Sequence, residues 1–418
     1  QEKMHFEAKN ITYEFKGGKI GLHDVNFIEE TGRLVGIMGA SGAGKTTLLN
    51  VLSGISKPTH GKVTVNGMDI YDEKNKEKNK GLIGLIAQDD LLFEELTVYQ
   101  NLYYNAQLCL GGFSDEEIEE SVIRILKSLG LFEIKDLTVG SPLNKKISGG
   151  QRKRLNVALE LIREPSVLFV DEPTSGLSSR DSENIMDLLK ELTLRGKLVI
   201  VVIHQPSSEI FKMFDKLLIL DTGGFSAYYG NPIDAINYFR IQTNAINAGN
   251  SICGECGNVN PEQIFNIIES KVVDENGEFT DERKVSPKKW NEIFIKNIKI
   301  PELKSKTSDD LPAIIIPSKI KQLSVFIKRD VLSKLSNSQY MTFTFAEAPL
   351  LAFILAFLVR YFDVDESGEQ TYIFNDNTNI VAFLFMSVVV AIFLGMIVSA
   401  EEIIKDRNKL LPFLATSY

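Results

Sequence analysis

The sequence is poor in cysteine and carries no excess of positive charge. It has three cysteines among 418 residues, which are too few for a disulfide-stapled scaffold and suit a reducing compartment. Its 46 lysines and arginines are outnumbered by 55 aspartates and glutamates, for a net charge of −9. A chain this acidic has no general electrostatic attraction for nucleic acid, so we do not expect nucleic acid as a partner.

We also expect no signal peptide in this sequence, because its first residues do not combine a basic segment with an apolar one. The composition, 44% apolar and 24% charged, is that of a globular protein, and the length predicts roughly two or three domains. Long apolar runs concentrate after residue 340, which argues against a purely soluble protein. The chain starts at Gln1 and stops at Tyr418 just after an apolar segment, and we expect it to be part of a longer protein.

An apolar run of strand length, Leu34–Met38, leads into a glycine-rich loop, and Thr46–Leu52 then has helical spacing. This order of strand, loop and helix predicts a parallel α/β core. The loop matches the phosphate-binding pattern G-x-x-x-x-G-K-[ST] in full, so we expect Lys45 to reach the phosphates and Thr46 to ligate Mg²⁺. The alternative is a βα turn that holds no ligand. The predicted binding residues are Gly39, Ala40, Ser41, Gly42, Ala43, Gly44, Lys45, Thr46 and Thr47.

Polar side chains follow three further apolar runs. Asp171 and Glu172 come directly after Val167–Val170, where Asp171 can hold Mg²⁺ through water and Glu172 can act as general base. Two such acids are also common helix caps. Gln88 and His204 each end an apolar run at the carboxyl edge of a predicted strand, where open α/β sheets bind ligands. Each is alternatively an ordinary surface residue.

A second glycine-bearing turn, Ile147-Ser-Gly-Gly-Gln151, precedes a predicted helix over Arg152–Ile162. A serine and free amides at a helix start form an anion site. One nucleotide needs only one phosphate loop, so this second turn suggests a site for a nucleotide held by another copy. The alternative is an ordinary helix N-cap.

These motifs, in this order, resemble those of an ATP-binding cassette protein. The resemblance implies an α/β P-loop NTPase cassette over residues 1–240, with a mixed sheet and a helical subdomain, that binds ATP and Mg²⁺. It implies a head-to-tail dimer with a second cassette chain, in which ATP lies between one phosphate loop and the other chain's second turn. Phe15 falls where the family stacks an aromatic ring on adenine, and Tyr13 is its local competitor.

The resemblance also assigns roles residue by residue. It implies catalytic roles for Glu172, His204, Lys45 and Gln88, magnesium contacts for Thr46, Gln88 and Asp171, and ATP contacts for Phe15, Ser148, Gly149, Gly150 and Gln151 besides the phosphate loop. One departure is Ser178, which stands where the family usually has aspartate. Whether this weakens the contact between the two ATP sites is left open.

A finer resemblance is to the G subfamily, the White-like half-transporters with the cassette ahead of the membrane domain. It rests on Gly149–Arg154, Asp171–Leu177 and His204–Phe211. It implies a transporter, and by analogy an exporter, of an unknown substrate. Two other classes are weighed against it: a soluble cassette ATPase, and a membrane-anchored ATPase that does mechanical work on a partner without transport.

The second half of the chain predicts an α-helical membrane hairpin. Ile380–Ala400 has no charged residue and is long enough to cross a bilayer core of about 30 Å. A weaker segment, about 341–362, is interrupted by Glu347, which marks either a substrate path or the headgroup level. Basic residues flank both segments, which predicts an integral protein of the cell membrane with its ATP-binding domain in the cytosol.

The predicted boundaries follow from these patterns. Residues 241–317 form a partly ordered connector, 318–336 an amphipathic connecting helix, 337–418 the start of the transmembrane domain, and 401–418 a cytosolic coupling segment. Within the connector, Cys253 and Cys256 have metal-ligand spacing without a second ligand pair nearby. We interpret them as a turn with two reduced thiols, with a metal site as the alternative.

Overall fold

The computed structural model describes residues 3–75, 79, 81–141, 144–243, 260–275, 277–301 and 314–415. It divides into two compact units, Gln1–Gln322 and Leu323–Tyr418, which are described separately below.

The first unit is built on a large mixed sheet. Ten of the described strands form it, in the spatial order β5-β4-β1-β2-β10-β9-β3-β8-β7-β6. These strands are β1 His5–Glu14, β2 Ile20–Glu30, β3 Leu34–Gly39, β4 His60–Val65, β5 Met68–Asp69, β6 Ile83–Ile86, β7 Val167–Asp171, β8 Leu198–Val202, β9 Lys216–Asp221 and β10 Phe225–Gly230. The mixed sheet expected from the sequence is therefore present.

One end of the sheet is parallel and deeply buried. Strands β9, β3, β8, β7 and β6 run parallel to one another, as the apolar runs predict. All residues of β3 and β8 are buried, because helices cover both faces of a parallel sheet. The order of these strands places their carboxyl ends side by side.

The other end of the sheet is antiparallel and curls over the first helix. Strands β1, β2, β4 and β5 pair antiparallel, and their apolar side chains enter the same core as α1, Lys45–Leu52. Phe6 of β1 packs edge-on against Phe169 of β7, with ring centroids 5.6 Å apart. Because α1 lies between the two ends of the sheet, the loop before it is held from both sides.

Helices of the first unit cover the opposite face of the parallel strands. They are α2 Val98–Cys109, α3 Asp115–Ser128, α4 Gly149–Leu161, α5 Ser179–Leu194, α6 Ser208–Met213, α7 Pro232–Gln242, α8 Glu262–Ile268 and α9 Pro287–Asn297, with short 3₁₀ turns at Glu73–Asn75 and Phe132–Ile134. The described apolar side chains of α2 to α8 and the sheet share one core.

The described residues between 260 and 300 pack on the cassette, and they belong to the stretch 241–317 for which the sequence predicts a partly ordered connector. Trp290 of α9 is fully buried, and its ring meets Phe239 of α7 edge-on at 5.1 Å. The Trp290 indole also donates to the Ile268 carbonyl at 3.3 Å. A few large apolar side chains thus dock a stretch whose overall composition is polar. The predicted domain boundaries themselves stay a prediction.

One further contact holds this stretch in place, and another holds the segment that begins at residue 314. Arg283, in the small hairpin β11 Lys271–Val273 and β12 Phe279–Arg283, pairs with the buried Asp221 at 2.9 Å. The backbone N–H of Gly111, just after α2, donates to the Ile315 carbonyl at 2.8 Å. A Cβ atom on Gly111 would lie 2.4 Å from the Pro317 nitrogen, so glycine permits this close approach.

The second unit contains the apolar helices. Two helices in the described part of the chain, Ser338–Leu358 and Ile380–Ile397, are long and apolar enough to cross a membrane. They belong to α11 Ser338–Leu358 and α12 Ile380–Ala415, which follow α10 Lys319–Ser336 and are linked by a hairpin of β13 Asp363–Val364 and β14 Gln370–Thr371. The helix expected to end near residue 400 continues to Ala415, through most of the predicted coupling segment.

Candidate functional site at the carboxyl edge of the sheet

The predicted site residues gather where neighbouring parallel strands end. The phosphate loop follows β3, His204 follows β8, Asp171 and Glu172 close β7, and Gln88 follows β6. Because these strands are adjacent in the order β3-β8-β7-β6, the residues form one row along one edge. This is the position at which parallel α/β sheets bind ligands.

The loop between β3 and α1 has a backbone that favours glycine. Gly42 and Gly44 have φ angles of 78° and 88°, left-handed values that residues with a side chain rarely adopt. A Cβ atom on Gly39 would lie 2.6 Å from the Leu220 carbonyl oxygen. Gly44 immediately precedes α1, whose first amides form the positive end of the helix dipole. This loop can therefore surround an anion with backbone N–H groups.

Lys45 is the cation of this loop. Its ammonium is buried and donates to the Gly39 carbonyl at 2.6 Å and to the Ala40 carbonyl at 3.1 Å. Burial lowers the pKa of Lys45, and the charges of Glu172 and Asp171 oppose that shift. The side chain is thus held within the loop and in the field of the acidic pair.

The acidic pair is partly buried, and the backbone of Glu172 is strained. Glu172 has a left-handed backbone with φ of 43°, and its N–H donates to the Val202 carbonyl of the neighbouring strand at 2.9 Å. Burial raises the pKa of Asp171, and the adjacent Glu172 raises it further, while Lys153 and Lys45 oppose the shift. Two carboxylates this close favour a cation between or beside them.

Three polar side chains of the row face outward. Thr46, Gln88 and His204 are all exposed at the edge of the sheet. Oxygen ligands from a hydroxyl, an amide and a carboxylate are the set that Mg²⁺ prefers, so Thr46, Gln88 and Asp171 fit such an ion. In the described part of the chain no group of three or more His, Cys, Asp or Glu side chains could hold a metal ion. Cys253 and Cys256 lie outside the described residues.

Phe15 lies near the phosphate loop, and Gly21 approaches both of them. Its ring would touch a Cβ atom on Gly21 at 2.4 Å, and the Gly21 carbonyl in turn would lie 2.8 Å from a Cβ atom on Gly44. The ring is 43% exposed and meets Tyr13 edge-on at 5.2 Å. Of the two aromatic candidates, Phe15 is therefore the more accessible to a flat ligand.

The second turn lies at the start of α4 and is a capping box. Ser148 Oγ accepts from the Gln151 N–H at 3.1 Å, and Gln151 Oε1 accepts from the Ser148 N–H at 2.8 Å. Ser148 is exposed, and Gly149 and Gly150 approach Leu177 and Asp181 closely. Within the described residues, no hydrogen bond joins this turn to the phosphate loop of the same chain.

Ser178, the departure from the family pattern, is the N-cap of α5. Its hydroxyl accepts from the Asp181 N–H at 3.1 Å and donates to the Asp181 carboxylate at 3.0 Å. The Asp181 carboxylate also borders Gly150, since a Cβ atom there would lie 2.7 Å from its Oδ1. The serine thus holds a carboxylate beside the second turn.

Sequence patterns did not assign two basic residues, Arg152 and Lys153, that lie next to the site. Arg152 pairs with Asp90 at 2.6 Å, and Lys153 donates to the Gln88 carbonyl at 3.0 Å. Burial lowers the pKa of Lys153, and surrounding carboxylates, Asp90 first, oppose the shift. The available signal was charge complementarity: a basic run follows the second turn, and Asp89 and Asp90 follow Gln88.

Residues 22–175 match the protein family described as ABC transporter. This segment is an ATP-binding cassette of the ABC transporter type. Residues 204–313 match a second family, described as ABC-2 type transporter. That range covers His204 and the segments packed on the cassette, and both apolar helices lie beyond it. The resemblance stated from the sequence is confirmed.

Curated relatives carry the same family name. ABC transporter G family member 13 of Arabidopsis thaliana is 39% identical over 219 residues, which are 52% of this chain and 32% of that protein. ABC transporter G family member 22 of the same plant is 34% identical over 307 residues, 71% of this chain and 40% of that protein. The chain thus spans well under half the length of these relatives.

A solved structure confirms the cassette fold. The protein cbiO1 of Clostridium perfringens, described as part of the ABC transporter complex cbiONQ, superimposes with a TM-score of 0.51 at 27% identity. The match covers 58% of this chain and 96% of that one. An ABC-type ATPase cassette followed by two apolar helices is therefore the architecture of this chain, and such a cassette binds a nucleotide.

Proposed function

We propose that this chain is the ATP-hydrolysing part of a membrane ABC half-transporter, acting as an exporter. The row of phosphate loop, His204, acidic pair and Gln88 along one sheet edge carries the proposal. The two apolar helices in the same chain support the membrane part. The G family names of the relatives support transport over mechanical work on a partner.

Each residue of the row has a distinct task in this proposal. Lys45 binds the β- and γ-phosphates with the loop amides, and Phe15 stacks on the adenine. Glu172 takes the proton of the attacking water as general base, and His204 supplies a polar group beside the γ-phosphate. The strained backbone of Glu172 fixes the direction of its carboxylate.

Magnesium completes the site when it is bound. Thr46, Gln88 and Asp171 would hold it, and it would neutralise negative charge on the phosphates. Burial and the adjacent Glu172 raise the pKa of Asp171, and a bound cation would offset that shift because it favours the charged carboxylate.

The second turn serves a different copy of the site. Ser148, Gly149, Gly150 and Gln151 would contact ATP that is held by the phosphate loop of a partner cassette. The exposure of Ser148 supports this, as does the lack of a hydrogen bond, in the described part of the chain, between this turn and its own phosphate loop. Closure of two such cassettes would move the membrane helices through residues 401–418, and hydrolysis would reset the pair.

ATP turnover in lipid vesicles tests the ATPase and its dimeric site together. The protein is reconstituted at several protein-to-lipid ratios, beside a Glu172→Gln variant at the same ratios. We expect turnover that requires Glu172 and rises more than linearly with protein density. Turnover that is proportional to density, or that survives in Glu172→Gln, contradicts the shared site or the assigned base.

The membrane assignment has a separate test. After alkaline carbonate extraction of membranes, an integral protein stays in the pellet. We expect the chain there, in the company of a known integral marker and apart from a peripheral one. Release into the supernatant would instead support a soluble cassette ATPase.

A further inference from the structure

The turn between β9 and β10, at residues 221–224, lies directly against the phosphate loop. Gly39, where the loop begins, pairs with Leu220 in the sheet, and a Cβ atom on Gly39 would lie 2.6 Å from the Leu220 carbonyl oxygen. The Gly223 N–H donates to the Gly42 carbonyl at 3.4 Å. Because backbone meets backbone at both points, a shift of this turn displaces the phosphate loop as well.

The same turn is fixed by a buried ion pair. Asp221 is 1% exposed, and its Oδ1 accepts from the Thr222 N–H at 2.7 Å, so the carboxylate is part of the turn. Arg283 Nη1 and Nη2 both donate to Asp221 Oδ1 at 3.0 Å, and Nη2 also donates to Oδ2 at 2.9 Å. A guanidinium that meets a carboxylate through two nitrogens is fixed in orientation as well as in distance.

Arg283 connects this carboxylate to the segment that follows the cassette. It ends strand β12, and its Nη2 donates to the carbonyl of Ile268, the last residue of α8, at 2.8 Å. The same carbonyl accepts from the indole of Trp290 in α9 at 3.3 Å. One side chain thus joins the turn beside the phosphate loop to α8, to the β11–β12 hairpin and to the anchor of α9. Removing one partner of a buried ion pair leaves the other charge uncompensated, so the pair keeps these two parts of the chain together.

We propose that Arg283 is a positioning residue for ATP binding: it fixes the turn at residues 221–224, and that turn fixes the loop that receives the ATP phosphates. The contact between the β11–β12 hairpin and Asp221 therefore sets the affinity of the phosphate loop for ATP. Such coupling is reciprocal, so bound ATP in turn holds the hairpin against the sheet. The inference rests on the proposed function, because it takes residues 39–47 as the site of the ATP phosphates.

Equilibrium ATP binding and ATP turnover in lipid vesicles test this role. Arg283→Gln and Asp221→Asn are expected to weaken ATP binding about five- to tenfold. Turnover at saturating ATP should stay within about twofold of wild type, because the general base is not displaced. The double variant Asp221→Asn with Arg283→Gln leaves no uncompensated charge, and it should bind ATP no more weakly than either single variant, since all three lose the same connection.

Hydrogen exchange measures the coupling in the reverse direction. When ATP is bound, the amides of β11 and β12 in the wild type are expected to exchange about five- to tenfold more slowly, and Arg283→Gln should lose this protection. Asp281→Asn is the matched control, because Asp281 is an exposed carboxylate of the same hairpin that pairs with Lys271 at 3.5 Å. Its ATP affinity and its protection by ATP should equal those of the wild type.

The outcomes distinguish this inference from the function on which it rests. Wild-type ATP affinity in both Arg283→Gln and the double variant overturns the inference alone, since Arg283 would then hold only its own segment. A fall of turnover at saturating ATP in the same proportion as the fall of affinity also overturns it, because that result marks a general loss of structure. Normal ATP affinity in Lys45→Ala overturns the proposed phosphate site and the inference with it.

Discussion

The two glycine-bearing turns of this chain, the phosphate loop before α1 and the Ser148 turn, differ in how far the surrounding chain encloses them. The loop before α1 is held by strands on both sides, and its lysine is buried against its own carbonyl oxygens. The Ser148 residue is exposed, and the side chains of Ser148 and Gln151 accept hydrogen bonds from each other's backbone N–H groups. The first turn is nearly a complete anion site within the chain. The second turn caps its helix and lies on the surface, where it is not enclosed by other residues.

This difference shows why a short motif at a helix start has two meanings. A serine at the N-cap stabilises its own helix, because its hydroxyl accepts a hydrogen bond from a backbone N–H that lacks an intrahelical partner. The same turn becomes a ligand site only when another surface supplies the rest of the pocket. The helix-cap and half-site interpretations of Ser148 are therefore compatible, and experiments that treat the turns separately can distinguish their contributions.

The largest effect is expected at the acidic pair beside the first turn. Glu172→Gln removes the general base but leaves Lys45 and the loop intact, so turnover should fall by about 10²- to 10⁴-fold while ATP stays bound. Turnover and retained nucleotide are measured on the same vesicles. Glu209→Gln, an exposed acid at the start of α6, is the control and should behave as wild type. Loss of bound ATP in Glu172→Gln would contradict its assignment as base.

A smaller effect is expected from the lysine of the first turn. Lys45→Ala removes charge-assisted hydrogen bonds to the phosphates, so ATP affinity should fall by about 10- to 100-fold. Equilibrium binding of a fluorescent ATP analogue measures this change. Lys57→Ala removes an exposed lysine beyond the end of α1 and serves as control. Unchanged affinity in Lys45→Ala would exclude this lysine from the phosphate site.

A mixed dimer compares the two turns directly. One chain carries Lys45→Ala and the other carries Ser148→Arg, so that one of the two shared sites keeps both working turns. We expect turnover in the mixture, whereas each variant alone should be inactive. If both turns acted on the same chain's ATP, every site in the mixture would be damaged and turnover would vanish.

The smallest effect is expected when the second turn loses only its cap. Ser148→Ala should lower the stability of the chain by about 1 kcal/mol, because the Gln151 N–H loses its acceptor. ATP affinity at high dilution should not change, since the turn does not reach the chain's own loop. Denaturant unfolding and ATP binding are measured together. A clear loss of affinity would place Ser148 in its own chain's site.

Sequence patterns predicted the row of site residues but not the contacts that connect it to the second turn. The continuous apolar runs of β3, β7 and β8 predict buried parallel strands, and the residues after them follow directly. The Arg152–Asp90 pair joins residues far apart in sequence, and no local period predicts such a pair. The basic run after the Ser148 turn and the acidic residues after Gln88 are both visible in the sequence, but their charges do not show that the two segments are in contact.

The segment after the cassette shows the same limit. Composition indicated a partly ordered connector, because asparagine, lysine and glutamate dominate residues 241–317. The structure buries Trp290 of this stretch among apolar neighbours from other helices, a contact that composition does not reveal. A single large aromatic side chain can dock a polar stretch, and only the tertiary arrangement shows where its partners are.

Trp290 also gives this chain a built-in optical reporter. It is the one tryptophan in the sequence, and its indole lies fully buried, edge-on to Phe239 and hydrogen-bonded to the Ile268 carbonyl. An indole in such surroundings emits at shorter wavelength than one in water. Release of α9 from the cassette would therefore shift the Trp290 fluorescence to longer wavelength while the central sheet stays folded. Tryptophan fluorescence can thus report whether this segment is docked.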